Sequence, residues 1–209
     1  MIEAVQWADS RDSTVVEGWE FDERADPAAL LGMATVVGQP SGIAPGTSRW
    51  TEWILGRDAA YRAACRAGVE QPMIETADTG APYLKEAEAA LSIAHTRGLA
   101  LAAVCPDPIG IDVEKANRNV STLIRSLHPG EVDIAMSVSV VGCLVAKEAV
   151  AKATGLGLGG SLARWPMLDA ELSGANPKVS IATPGGQIVA AQLFAWKDYV
   201  VGIARIPRA

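Results

Sequence analysis

The feature that most constrains the fold is an apolar run from Leu99 to Cys105, followed by Pro106-Asp107-Pro108 and an alternating segment from Ile109 to Glu114. Both segments have the length and composition of β-strands, and the proline-containing segment between them is typical of a turn. Stretches with helical spacing of apolar residues lie on either side, from Ser48 to Ala67 and from about Ser137 to Thr154. The order predicts a β-hairpin between two long helices.

Composition narrows the class of protein. The chain has 209 residues, of which 49% are hydrophobic, and this length can bury one large core or two cores of about a hundred residues each. No apolar stretch approaches the roughly 18 residues of a membrane helix, and the first residues lack the basic flank and apolar run of a signal peptide. We therefore expect a cytoplasmic protein with no membrane partner. The net charge of -6 gives no general attraction to nucleic acid.

Cysteine and histidine are scarce. Cys65, Cys105 and Cys143 lie in apolar surroundings about forty residues apart, which favours small core residues in a reducing compartment over disulfides or a zinc site. With only two histidines, a histidine-rich metal site is excluded.

Other segments complete the expected secondary structure. Ser48 is a candidate N-cap of the first helix, and Gly68 lies where that helix would end. Further strands are expected in the segments Ile2 to Trp7, Thr14 to Trp19, Lys178 to Ala182, Ile188 to Trp196 and Tyr199 to Ile203.

A faint internal echo links the helices, because Arg57-Asp58-Ala59 with Arg62-Ala63 resembles Lys147-Glu148-Ala149 with Lys152-Ala153. Chance similarity between alanine-rich helices is an open alternative to a duplication.

A carboxylate interrupts the apolar face of the second helix. Val141, Leu144 and Val145 define this face, and Glu148 falls near its middle, with Lys152 one turn further on. Because an ionised carboxylate is costly to bury alone, Glu148 requires a cation, a metal ion or several hydrogen-bond donors. The residues alone also allow an i,i+4 pair of Glu148 with Lys152 at the helix edge.

The alternating strand carries two carboxylates on one face. Its apolar residues point to one side, and Asp112 and Glu114 point to the other with their Cα atoms about 6.6 Å apart. Like charges placed in this way repel unless a cation lies between them, although the polar side of a half-buried strand gives the same pattern. With Glu148 they form a set of oxygen donors, which suits Mg²⁺.

Cationic side chains of the N-terminal part form a second candidate set. Arg57 lies on the apolar stripe of the first helix, so its guanidinium points inward or into a cleft and requires an anion, an aromatic stack or a core carboxylate. Arg49 lies to one side of it. His95, in Ser92-Ile93-Ala94-His95-Thr96, is either a structural histidine or a polar contact for a ligand.

In this order, the motifs resemble those of the 4'-phosphopantetheinyl transferase superfamily, in particular its larger pseudo-twofold members that activate carrier proteins of peptide and polyketide synthases. Each motif alone is weak, but their order, with ~34 residues between Glu114 and Glu148, is specific. The segments that carry the resemblance are Arg49 with Trp53-Ile54-Leu55-Gly56-Arg57, Gly80-Ala81-Pro82, Ser92-Ile93-Ala94-His95-Thr96, Gly110-Ile111-Asp112-Val113-Glu114 and Lys147-Glu148-Ala149 with Lys152.

The resemblance implies an α+β fold of two similar halves related by a pseudo-twofold axis, each a small antiparallel sheet packed on a long helix. It places coenzyme A in the cleft between a nucleotide-binding half, residues 1–105, and a metal-binding half, residues 106–209. In the helix echo Arg57 aligns with Lys147, yet by helical wheel it corresponds to Glu148, which indicates a difference of one residue in register.

The implied activity is transfer of 4'-phosphopantetheine from coenzyme A to a serine of an apo acyl- or peptidyl-carrier protein, with release of 3',5'-ADP. Asp112, Glu114 and Glu148 would hold Mg²⁺, or Mn²⁺, and the pyrophosphate, and Glu148 is the candidate base. Lys152 would contact a pyrophosphate oxygen. We expect a monomer. Arg49, Arg57 and His95 would hold the nucleotide phosphates, and Lys115, Arg118 and Arg125 would face the acidic carrier.

Several positions depart from the family pattern. Leu144 and Val145 replace a tryptophan and a hydroxyl residue, Ala94 replaces a serine, and Ala81 replaces the lysine of Gly-Lys-Pro. These losses leave two alternatives open: a non-catalytic module that binds coenzyme A or a carrier protein, and a Mg²⁺-dependent nucleotide hydrolase.

Overall fold

The computed structural model of the chain describes residues 2–9, 14–21, 33–34, 36–38, 40, 42–121, 123–173 and 176–208. The chain divides into two compact units, Met1–Pro106 and Asp107–Ala209. Each unit contains small antiparallel sheets and helices, so the α+β class is confirmed. The assignment of a nucleotide-binding and a metal-binding half stays a prediction.

The N-terminal unit is a four-stranded antiparallel sheet with one long helix. The helix packs on β2, β5 and β6, and buried side chains of its inner face, among them Trp50 and Ile54, form the core with the sheet. The sheet order is β1-β2-β6-β5, and β3 and β4 form a separate hairpin. The elements are β1 (Ile2–Asp9), β2 (Thr14–Phe21), α1 (Ser48–Arg66), β3 (Met73–Thr76), β4 (Pro82–Lys85), β5 (Ala90–Thr96) and β6 (Leu99–Cys105).

The C-terminal unit repeats this combination with a five-stranded antiparallel sheet of order β7-β11-β10-β9-β8. Its core includes Trp165, Val179 and Ile181 from the sheet side and Val145 and Val150 from the helix. The elements are β7 (Ile109–Lys115), α2 (Val132–Val138), α3 (Val140–Ala153), β8 (Met167–Glu171), β9 (Lys178–Ala182), β10 (Ile188–Trp196) and β11 (Tyr199–Arg205).

The predicted hairpin of the two central strands is wrong. The strand β6 lies between β2 and β5, and β7 pairs with β11 over its whole length. Pro106 and Pro108 lack backbone N–H donors, and the Pro108 carbonyl accepts from Ile206 N at 3.0 Å, which extends the pairing of β7 with the segment after β11. The chain instead passes from one unit to the other at this point.

Both predicted helices differ from the expectation at a hydroxyl residue. The first begins at Ser48, but its N-cap is Thr47, whose Oγ1 accepts from Trp50 N at 3.2 Å. The second is broken at Ser139, whose backbone has φ 76° and ψ 149°. The Ser139 side chain accepts from Gly142 N at 3.0 Å and caps α3. The spacing of apolar residues does not reveal this break, because apolar residues continue on both sides of it.

The three cysteines are free thiols, but they do not share one environment. Cys105 and Cys143 are buried as expected, and burial raises the pKa of the Cys143 thiol to about 12. Cys65 is exposed, so its predicted place in the core is wrong. No single helix of the described residues is long and apolar enough to span a membrane, although the segments Pro129–Val138 and Val140–Ala153, bent by 106°, pass the length and composition test together.

Two glycines let α3 approach β7 and β11 closely. A Cβ atom at Gly110 would lie 1.9 Å from the carbonyl oxygen of Ala149, and one at Gly202 would lie 2.7 Å from Val145 Cγ1. Any larger side chain at Gly110 would therefore push backbone against backbone.

We expect Gly110→Ala to destabilise the protein by about 2–4 kcal/mol, because the added methyl group has no room against the helix backbone. The matched control is Gly185→Ala, where the nearest atom would be 3.8 Å from the new Cβ. Urea unfolding followed by circular dichroism measures both. Equal stability of the two variants would contradict the close helix contact.

Candidate functional site

Asp112 is the buried centre of the candidate site. It lies in the middle of β7 opposite Gly202 of β11, and its side chain faces α3 on the same side as Gly110. The ammonium group of Lys152 lies 2.8 Å from Asp112 Oδ1 and 2.9 Å from the carbonyl oxygen of Ile111. The close packing of α3 on β7 thus brings Lys152 within hydrogen-bond distance of two oxygens of the strand.

Glu148, one turn before Lys152, faces the same aspartate. Burial raises the pKa of Glu148 to about 7, with further contributions from the negative charge of Asp112 and a hydrogen bond between the two carboxyl groups. Lys152 and Arg118 oppose this rise. Asp112 Oδ2 is buried and has no hydrogen-bond partner among the described residues. A cation could bind between this oxygen and the Glu148 carboxyl group.

Glu114, the third predicted metal ligand, is paired with an arginine. It follows Asp112 by two positions on the same face of β7, but its carboxylate forms a salt bridge with Arg118. Among the residues that the structure describes, no three histidine, cysteine, aspartate or glutamate side chains form a group that could hold a metal ion. The structure therefore joins Asp112, Glu148 and Lys152, and the predicted set of three metal carboxylates stays a prediction.

A buried ion pair beside the cluster was not anticipated from the sequence. Lys147 is 0% exposed, and its ammonium group lies 2.7 Å from Glu131 Oε1 and 3.2 Å from the carbonyl oxygen of Leu162. Glu131 also accepts from the backbone N–H groups of His128 and Met167. The pair fixes the rotation of α3 next to Glu148. A lysine among apolar helix residues does indicate in the sequence that a buried cation needs a partner. It does not show that this partner lies 16 residues away.

The predicted phosphate contact Arg57 is engaged inside its own unit. Its guanidinium donates to the carbonyl oxygens of Ile74 and Glu75 at 3.1 and 3.2 Å and to the Thr76 hydroxyl at 2.5 Å. It also lies over the Trp53 ring, 5.0 Å from the centroid. Burial lowers the pKa of this guanidinium. In the structure Arg57 ties β3 to α1.

The two other predicted nucleotide contacts lie at or near the surface of the same unit. His95 is half exposed on β5, and its Nδ1 lies 3.5 Å from Glu52 Oε2 of α1. Arg49 is exposed one turn before Glu52, and no described side chain pairs with it. The sequence analysis identified His95 and Arg49 but not the carboxylate beside them.

The predicted basic patch is largely neutralised by local acids. Lys115 forms an ion pair with Asp198 at 3.3 Å, and Arg118 is paired with Glu114. Arg125 is exposed. A surface that attracts an acidic carrier would therefore depend on more than these cations.

Comparison with known families agrees with the interpretation of the motifs. Residues 45–105 match the family model of the 4'-phosphopantetheinyl transferase N-terminal domain. This segment lies in the N-terminal unit and includes Arg49, Arg57 and His95. No curated protein matches the sequence. The match over this segment supports the predicted superfamily and a phosphopantetheinyl transferase role in general.

We expect Arg57→Lys to loosen the hairpin of β3 and β4, because a lysine cannot reproduce the fork of hydrogen bonds to two carbonyls and a hydroxyl. Hydrogen exchange of the Met73–Thr76 amides should become faster, and the free energy of unfolding should fall by about 1–3 kcal/mol. Arg49→Lys is the control and should change neither quantity. Unchanged exchange in Arg57→Lys would refute the structural role.

The stability of the metal-free protein should depend on the proton of Glu148. The folded-state pKa of about 7 lies above the ordinary value of 4.5, so the folded state binds more protons between these values and stability falls as the pH rises through them. Glu148→Gln removes this titration, so its melting temperature should decline less between pH 4.5 and 7.5 than that of the parent protein. Parallel declines measured by calorimetry would contradict the raised pKa.

Proposed function

We propose that this chain, a member of the 4'-phosphopantetheinyl transferase superfamily, transfers the 4'-phosphopantetheine group of coenzyme A to a serine of an apo carrier protein and releases 3',5'-ADP. The observation that carries the proposal is the cluster of Asp112, Glu148 and Lys152 on β7 and α3. It combines a buried anion, a carboxyl group that titrates near neutral pH and a cation within one helical turn. We further propose the larger type of the superfamily, which serves carrier proteins of peptide and polyketide synthases.

Phosphoryl transfer requires positioning, charge stabilisation and a proton acceptor more than covalent chemistry by the protein. Glu148 would accept the proton of the attacking serine as the general base. Lys152 would contact a pyrophosphate oxygen where negative charge accumulates. Asp112 would orient Lys152 through the ion pair that the structure contains.

The cluster fits a divalent cation. Asp112 Oδ2 is a buried oxygen with no hydrogen-bond partner among the described residues, and the adjacent Glu148 carboxyl group retains a proton near neutral pH that a metal ion could replace. Mg²⁺ commonly binds one or two carboxylates and completes its shell with water and substrate phosphates. Asp112 and Glu148 would hold the ion, and Glu114 would join them by leaving Arg118. The bound ion would neutralise charge on the pyrophosphate.

For the nucleotide, we assign Arg49 and His95 to phosphate contacts and Arg57 to holding β3. Arg57 is buried, and three of its five N–H donors are engaged inside the unit. Arg49 and His95 are exposed at the surface of the same unit.

The test is transfer of phosphopantetheine to an apo carrier protein with coenzyme A and Mg²⁺, followed by mass spectrometry of the carrier. We expect Asp112→Asn and Glu148→Gln to lower kcat by about 10²-fold or more, since each removes charge or proton transfer from the reacting groups. Asp133→Asn, on the exposed side of α2, is the matched control and should retain the parent rate.

Full activity of either cluster variant would refute these assignments. The non-catalytic alternative is favoured by one observation, the salt bridge of Glu114 with Arg118. It predicts binding of coenzyme A without formation of 3',5'-ADP. Product formation without an acceptor protein would instead identify a nucleotide hydrolase.

A further inference from the structure

We propose that Glu131 and Lys147 are positioning residues for the transfer reaction, an inference that rests on the function proposed above. Neither residue is assigned a contact with the substrates. Their buried ion pair sets the rotation of α3 about its own axis, and this rotation decides whether Glu148 and Lys152 lie over Asp112.

Apolar packing specifies the rotation of α3 only weakly. Buried residues occur on every side of the helix, because all seven consecutive positions from Val141 to Lys147 are buried. A helix that is buried all round lacks the apolar stripe that would define one inward face. Other rotations of α3 would therefore bury a similar amount of apolar surface.

The close contact with β7 leaves the rotation open as well. In the structure, a Cβ added at Gly110 would lie 1.9 Å from the Ala149 carbonyl oxygen. Gly142, Ala146, Ala149 and Ala153 form a stripe of small residues that is about 60° wide at 100° per residue. A modest turn of the helix thus brings no bulky side chain against the strand.

The Lys147 ammonium group supplies the missing direction. It lies 2.7 Å from Glu131 Oε1 and 2.8 Å from Glu131 Oε2, and it donates to the carbonyl oxygen of Leu162 at 3.2 Å. Glu131 is itself fixed, because it accepts from the backbone N–H groups of His128 at 2.6 Å and of Met167, the first residue of β8, at 2.5 Å. The ion pair therefore ties α3 to the backbone of two other segments of its unit.

The pair contributes direction more than stability. The Lys147 side chain is 0% exposed and that of Glu131 is 1% exposed, so the cost of desolvation offsets much of their attraction. Apolar pairs of similar volume often give equal or greater stability. A charge-assisted hydrogen bond, however, forms only when the two groups meet in the correct geometry. An apolar pair would allow several rotations of α3, and the ion pair allows one.

The chemical groups depend on this rotation because they lie on the same helix. Glu148 directly follows Lys147, and Lys152 Nζ lies 2.8 Å from Asp112 Oδ1. A side-chain carboxyl group lies about 6 Å from the helix axis, so a turn of about 20° moves it by about 2 Å. A misplacement of about 1 Å can lower a rate by about 10²-fold. Loss of the ion pair should therefore slow transfer although every reacting group is still present.

The experiment is a double-mutant cycle of Lys147→Met, Glu131→Gln and the double variant. Each change approximately keeps the length of the side chain and removes the ion pair. We expect each single variant to lower kcat per folded molecule by about 10- to 10²-fold. The double variant should be no slower than the slower single variant, because both act through one contact. Mass spectrometry measures formation of holo-carrier with coenzyme A and Mg²⁺, and circular dichroism measures the folded fraction.

Val179→Ala is the matched control for lost stability. Val179 is a buried residue of β9 in the core of the same unit, and its truncation lowers stability without removing the ion pair. If the pair had only a structural role, its variants would change kcat per folded molecule no more than this control does. Unchanged kcat in Lys147→Met, or effects of the single variants that multiply in the double variant, would overturn the inference.

The three free thiols provide a readout without substrate. Cys143 is buried on α3 one turn before Lys147, Cys105 is buried in the other unit, and Cys65 is exposed. Alkylation of Cys143 by a maleimide should become faster in Lys147→Met relative to alkylation of Cys105, with Cys65 as the reference for full reactivity. In Val179→Ala it should become faster only as far as the measured loss of stability predicts. Protection of Cys143 in Lys147→Met equal to that in the parent protein would contradict the control of α3 by the ion pair.

The labelling also separates this inference from the proposed function. If the parent protein forms no holo-carrier but Cys143 becomes reactive in Lys147→Met, the transferase activity is refuted and the control of α3 by the ion pair is upheld. If transfer occurs and the cycle shows no coupling, the proposed function stands and the positioning role is refuted.

Discussion

The candidate site depends on the contact between α3 and β7 at Gly110. A helix that can approach a strand to backbone distance places Glu148 and Lys152 directly over Asp112, in a region where Asp112 is only 6% exposed. Burying a charged group costs desolvation free energy, and this cluster buries two carboxyl groups and one ammonium group together. The lysine satisfies one oxygen of Asp112, and Glu148 retains a proton near neutral pH because burial and the negative charge of Asp112 outweigh the charges of Lys152 and Arg118. The excess of carboxyl groups in the cluster lowers stability, and it also favours binding of a metal ion or acceptance of a substrate proton.

Much of the secondary structure follows from the order of residues, and the exceptions have identifiable causes. Strand segments such as Lys178–Ala182 and Ile188–Trp196 were predicted because apolar or alternating residues lie between turn residues. The strands β3 and β4 have few buried positions, so they carry little pattern to detect. The pairing of β6 and β7 was mispredicted because neighbours in sequence are common partners in sheets, whereas here their partners come from distant parts of each unit.

For the candidate site, the sequence identified the chemically important side chains better than their partners. Helical and strand periodicity show which face a residue occupies: they placed Glu148 inward and put Asp112 and Glu114 together on one face of the strand, without deciding whether that face is buried. Periodicity does not show which side chain a charged residue contacts. The pairs of Glu114 with Arg118 and of His95 with Glu52 were therefore found only in the structure. The resemblance to the superfamily supplied functional roles for residues, but it could not show that Arg57 has a structural task within its own unit.

The sequence similarity between the two long helices corresponds to similar side-chain contacts in the structure. Arg57 and Lys147 are both buried cations that hold a neighbouring segment of their own unit, through the β3 carbonyls in one case and through Glu131 in the other. The next residue is a carboxylate in both helices, and it is followed four positions later by a cation.

This alignment pairs Asp58 with Glu148 and removes the apparent shift of one residue. The difference lies in what each carboxylate faces. Asp58 accepts from the Trp19 indole and from Arg62, each at 2.8 Å, so its charge is compensated by donors. Glu148 faces Asp112 and acquires a raised pKa. Two helices with the same charge pattern thus differ in chemistry because one carboxylate meets donors and the other meets a second carboxylate, and proton transfer or metal binding is expected only at the second.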